Sequence, residues 1–214
     1  MKKNFAMRIA ACLLVVTMLS LCMVSHTYAK YTTQNNNVDT ARVAKWGVKV
    51  EAASNDLFSK VYNNADNEVT VNAKELVVAP GTEGTLTMLT VSGTPEVATR
   101  VYATAELTLT GWELENGTFY CPLIITVGTA TLEGTTYASA ADFAAAVKTA
   151  VEATLNAEHI AGATLNDSIE VSWAWEFDGN DANDTYFGNL AANGNAPKIS
   201  LNVIVTVDQI NDLK

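Results

Sequence analysis

Three hydropathy patterns follow one another along the chain, and each predicts a different element. Residues 9–24 form an apolar run interrupted only by Thr17 and Ser20, and Lys2, Lys3 and Arg8 precede it. Residues 30–39 are polar, with Asn35, Asn36 and Asn37 in a row and no apolar period, which predicts an extended arm rather than a packed element. From residue 41 a period of two sets in. Val43, Trp46, Val48 and Val50 predict a first strand within 41–52.

Further strands are expected at 68–72 and 76–78, then at 84–92 after the turn signal Ala79, Pro80, Gly81. In 97–110, Val101, Ala103, Ala105, Leu107 and Leu109 share one face. Gly111, Asn116 and Gly117 predict a tight hairpin from there into 119–127, with Pro122 at an edge or bulge. Residues 139–157 break this rhythm. Phe143, Val147, Val151 and Leu155 recur at steps of four, Ser139 and Asp142 supply an N-terminal capping signal, and Gly162 offers a stop. One helix is therefore expected at 139–157. Two strong strands follow at 169–177 and 199–207, joined by a polar Asn, Asp and Gly-rich connection over 178–197. Many short strands with one inserted helix predict a mainly β fold, an antiparallel β-sandwich of the immunoglobulin-like kind.

Composition sharpens the N-terminal reading. A basic n-region, a 16-residue apolar run and the small-residue pattern ending at Ala29 are the anatomy of a secretory signal peptide cut between Ala29 and Lys30. The expected organisation is a signal peptide at 1–29, an arm at 30–40 and a single domain at 41–214, with the membrane touched only through the uncleaved signal. Cleavage takes away three basic residues and no acidic ones, leaving 10 Lys and Arg against 23 Asp and Glu, a formal charge of −13. Such a surface opposes nucleic acid and anionic membranes. Cys12 and Cys22 leave with the signal, so Cys121 stands alone without an internal disulfide, and its apolar neighbours predict a core residue.

Catalytic signatures are sparse. His159 is the single histidine after residue 29, so no two-histidine zinc site forms within one chain, and it is expected to cap the helix C-terminus. No Ser stands in a GxSxG context, and neither a phosphate loop nor a dinucleotide fingerprint occurs. An enzyme is not expected, and no cofactor either, apart from one weak Ca²⁺ candidate. Asp178, Asp181 and Asp184, interleaved with Gly179, Asn180 and Asn183, offer the oxygens a hard cation takes, without the full EF-hand spacing.

The junction TYAKYTTQNNNVDTARVAKWGVKVEA (27–52) resembles the start of secreted bacterial proteins with a SipW-type signal peptide, the family that includes TasA and camelysin. VAPGTEGTLTMLTVSGTPEVA (78–98) and WAWEFDGNDANDTYFGN (173–189) also resemble recurring stretches in such precursors. The resemblance implies a jelly-roll-like sandwich and cleavage by a dedicated signal peptidase of a Gram-positive-type bacterium. It further implies self-association into biofilm matrix fibres or display at the cell surface, with the arm of one subunit adding a strand to the next. Carried over here, the arm would span 30–38 and include Tyr31, Thr33 and Val38. The alternatives are a monomeric cell-surface binding or adhesion module and, because some family members are classed as metallopeptidases, a secreted peptidase.

Overall fold

Alternating Val, Ile, Leu and Thr positions become strands wherever one face can be buried, and the second of the chain's two units is made chiefly this way. The computed structural model describes residues 3–24 and 41–211. The units are Met1–Arg42 and Val43–Lys214. In the first, α1 (Lys3–Val24) takes up the apolar run. No helix among the described residues is long and apolar enough to cross a membrane.

The second unit is mainly β, with every pairing antiparallel. One sheet contains β1 (Val48–Ala52), β4 (Thr82–Gly93), β9 (Leu165–Trp175), β6 (Leu123–Val127) and β7 (Ala130–Glu133), in the order β1-β4-β9-β6-β7. A three-stranded sheet has the order β10-β5-β8, made of β10 (Lys198–Gln209), β5 (Thr99–Thr110) and β8 (Asn156–His159). The hairpin of β2 (Ser59–Tyr62) and β3 (Val71–Val77) packs Phe58 and Tyr62 onto Trp173. Together they form an antiparallel β-sandwich with an inserted helix.

The core lies between the sheets. Ile169, Val171, Trp173 and Trp175 of β9 are buried on one face, as are Val101, Ala103, Ala105 and Leu107 of β5. The inserted helix, α2 (Ala140–Thr154), packs on β5 and reaches β6 and β7. Phe143, Val147 and Val151 are fully buried, and each contributes about 1.5–3 kcal/mol of apolar transfer. Ser139 caps the helix, its Oγ accepting from the Asp142 N–H at 3.1 Å.

Several sequence expectations need correction. The first strand is short, Val48–Ala52, because Gly47 adopts φ +54 and residues 41–47 are irregular. The separate strands expected at 68–72 and 76–78 are one, β3. The expected hairpin into 119–127 is only a small loop closed by the Glu113–Phe119 bridge, since β5 and β6 belong to different sheets. α2 stops at Thr154, and β8 begins two residues later to pair with β5. Phe177 lies beyond β9 and is half exposed. The polar stretch 178–197 contains α3 (Asp181–Ala192).

β10 has one feature that bears on function. It pairs with β5 along all 12 of its residues, and no strand pairs with its other edge among the described residues. Its inward residues Ile199, Leu201, Val205 and Val207 are only partly buried, with Val203 between them buried, while Ile169, Val171, Trp173 and Trp175 of β9 are all buried.

Candidate functional site

Where β9 ends, the chain turns through Gly179, at φ +114, into α3. That backbone conformation suits glycine alone, because a Cβ would clash with the preceding carbonyl. Asn180 then starts the helix, its carbonyl accepting from the N–H groups of Asn183 and Asp184. An aromatic cluster fastens α3 to the sandwich. Phe187 is buried against Trp112, Tyr120 and Tyr186, with ring centroids 5.3, 6.0 and 5.5 Å away, and Trp112 packs on Trp175 at 5.7 Å. Trp112 Nε1 donates to the Lys198 carbonyl at 2.9 Å, tying the same cluster to the start of β10.

This packing sets Asp184 over the end of β9, partly buried. Burial pushes its carboxyl above the ordinary 3.8. The Trp175 indole N–H pulls it back, and the Asp181 charge pushes it further up. Trp175 Nε1 is directed at this carboxylate, and both it and Asp184 Oδ1 are shut off from solvent, so the indole N–H and the carboxylate serve each other. The Tyr120 hydroxyl is likewise shut off from solvent, with the Asn183 side chain as its hydrogen-bond neighbour. Burial is the main cause that raises its pKa.

A cleft of about 120 Å³ opens beside these groups, lined by Glu133, Trp175, Glu176, Asp178, Asn180 and Asp184, with Pro122 and Ile124 on its apolar wall. Across Glu176 and Asp178 a second, more open cleft is lined by Asp66, Glu68 and Glu83. Neither has a Lys, Arg or His in its wall.

Of the three carboxylates read as a Ca²⁺ loop, Asp178 and Asp184 line the first cleft and Asp181 does not. Asp181 and Asp184 occupy the first turn of α3. Helix formation takes up the backbone that would have to wrap around an ion. Among the described residues, no group of three or more His, Cys, Asp or Glu is arranged to hold a metal. Asn180, read as part of the Ca²⁺ loop, lines the cleft too, and Glu133 and Trp175 join the site from residues the sequence did not single out. Trp175 is the one that pattern could have flagged, since it ends a buried alternating face beside an acidic stretch.

The other singled-out residues lie elsewhere. Ala29, Lys30, Tyr31, Thr33 and Val38 fall outside the described residues. His159 does not cap α2. It lies in β8 opposite Thr99, its Nε2 3.0 Å from Asp167 Oδ2, with both side chains mostly buried. The α2 end is closed by the Leu155 N–H donating to the Val151 carbonyl. Cys121 is completely buried, and desolvation pushes its thiol up to about 12, so it is no nucleophile at neutral pH.

The chain matches no family model, and no curated protein matches it.

Proposed function

We propose that the protein is a secreted, non-enzymatic structural subunit that joins copies of itself by strand addition, in the manner of the TasA and camelysin family. The observation that supports this reading best is the open side of the sandwich at β10. A 12-residue strand with one unpaired edge offers a row of backbone donors and acceptors, and its half-covered Ile199, Leu201, Val205 and Val207 would gain burial from one more strand. Natural proteins usually blunt such an edge, and here only Lys198 near one end and Asp208 near the other add charge.

In this reading a signal peptidase cuts between Ala29 and Lys30, and the released arm at 30–38 supplies the added strand to the next copy. Contacts of this head-to-tail kind do not close and so propagate as filaments. The place of action is the extracellular matrix or the cell surface.

The test is negative-stain microscopy of the chain beginning at Lys30 beside one lacking residues 30–38. Filaments are expected from the first and a folded monomer from the second. A monomer from both, across the salt and pH range tested, would sink the proposal.

A further inference from the structure

Pairing with β5 fixes which backbone groups β10 presents at its open edge. Gln209 lies opposite Thr99 in an unbroken antiparallel register, and one step on, the Ile210 N–H donates to the Ala98 carbonyl at 3.0 Å. Backbone direction alternates along a strand, so the even-numbered residues of β10 turn their N–H and C=O groups to β5. The odd-numbered ones, Ile199, Leu201, Val203, Val205 and Val207, turn theirs outward to the open edge. These five also point their side chains at the core, while the even-numbered side chains are exposed apart from the partly covered Thr206. Lys198 and Asp208, near the two ends, are the only charged residues of the strand.

A strand added here must bring apolar residues to one face and opposite charges to the two ends. β10 itself meets both conditions when a second copy runs antiparallel to it about a two-fold axis at Val203. Lys198 then lies opposite the partner's Asp208, and Asp208 opposite the partner's Lys198. On the core side Ile199 meets Val207, Leu201 meets Val205 and Val203 meets its own counterpart. On the outer side Ser200 meets Thr206 and Asn202 meets Ile204. Ile204, 49% exposed, comes diagonally beside its own counterpart, within reach of a long side chain. Pro197 has no N–H to donate, so the pairing ends at Lys198 and, by symmetry, at Asp208. Other registers fail. A slip of one residue sets the apolar face against the polar one, and a slip of two separates the charges. Parallel in-register pairing puts Lys198 beside Lys198 and Asp208 beside Asp208, which repel. Asp208 lies opposite Arg100 and its Oδ2 accepts from the Tyr102 hydroxyl at 3.1 Å, and a carboxylate has a second oxygen for an incoming ammonium.

We infer that a second copy of this chain docks on the edge, β10 against β10, and joins the two β10-β5-β8 sheets into one continuous sheet. The contact is isologous and closes on itself, so the pair shuts the edge that strand addition uses and halts growth there. It needs no arm, and it stands whether or not the chain forms filaments.

The chain lacking residues 1–38 has no arm to donate, so it tests this contact apart from strand donation. At an ionic strength of about 0.15 M, which screens the net negative charge, sedimentation velocity is expected to find a dimer with a Kd of about 100 µM. Such a pair falls apart in the dilute samples of microscopy. As concentration rises, the amides of Leu201, Val203 and Val205 should gain protection from hydrogen exchange, while those of Asn202 and Ile204, already turned to β5, hold. Lys198→Glu and Asp208→Lys each set like charges opposite one another and are expected to weaken the dimer about tenfold. A one-to-one mixture of the two variants should restore it, because the new Glu meets the new Lys and the native pair survives at the other end. A second measurement does not depend on Asp208→Lys folding. Asn202→Cys mixed with Ile204→Cys under oxidised glutathione is expected to give a mixed disulfide, since the two positions face each other at about 4.5 Å between Cα atoms. The proposal is overturned by a monomer up to about 1 mM, by a dimer that leaves the three odd-numbered amides unprotected, by a mixture no tighter than its parts, or by the absence of the mixed disulfide.

Discussion

Asp184 shows at the scale of one residue how this protein gives up stability at its cleft. Its carboxyl is raised by burial, the Trp175 N–H opposes that without winning, and the Asp181 charge adds to the push. The folded state therefore holds the Asp184 proton more tightly than the unfolded chain does. Stability associated with this group is intact below the ordinary carboxylate value of 3.8 and falls as pH rises from there through the raised folded value. Asp184→Asn is thus expected to raise the urea midpoint at pH 7, with the gain fading to nothing as the pH is brought below 3.8. A variant less stable than the parent at pH 7 would show that the carboxylate supports the α3 turn instead. Cys121 lies at the other extreme: total burial in an apolar run left it no chemistry, and the run itself announced that. His159 was harder to read, because its partner Asp167 is eight positions away on another strand. Local spacing cannot report a contact made by pairing across sheets.

Elements were legible where their own residues dictate them. α2 combines a capping Ser139 with apolar positions at steps of four, so the sequence and the tertiary contacts agree on it, and its N-terminus falls at the expected residue. Ser139→Ala removes the acceptor for the Asp142 N–H and leaves it without a side-chain partner. Thermal or urea unfolding should show a loss of about 1 kcal/mol, and Ser139→Asp should restore most of it. An unchanged midpoint for the alanine variant would mean that solvent satisfies the N–H equally well. α3 was not legible for the converse reason. Asn180 makes no side-chain cap bond, Gly188 and Asn189 are poor helix formers, and Phe187 is the single fully buried anchor. That helix exists because the rings of Trp112 and Tyr120 receive Phe187, and no local window of sequence contains both sides of that contact. The short strands β7 and β8 were likewise hidden, each being four residues whose role is set by the neighbour it pairs with.

For the whole molecule, the sandwich followed from alternation alone, while the open flank did not, since an edge is defined by what fails to pair with it. Charge then sets the conditions under which that flank could be used. With residues 1–29 removed the chain carries a formal −13, and filament growth would bring such subunits side by side. Repulsion between them extends about 30 Å at 0.01 M ionic strength and about 8 Å at 0.15 M. Backbone hydrogen bonds at an added strand, by contrast, depend little on salt. If strand addition at β10 drives assembly, sedimentation velocity should find monomer near 0.01 M and a growing polymer fraction as the ionic strength approaches 0.15 M. NaCl and CaCl₂ at matched ionic strength should act alike, because screening rather than a bridging ion does the work. Polymers that dissolve as NaCl is added would instead mean that complementary charge joins the subunits, and the β10 edge would then have to be given up as the contact. A response to CaCl₂ far beyond that to NaCl would place a cation between copies, with the carboxylates around Asp178 the first residues to substitute.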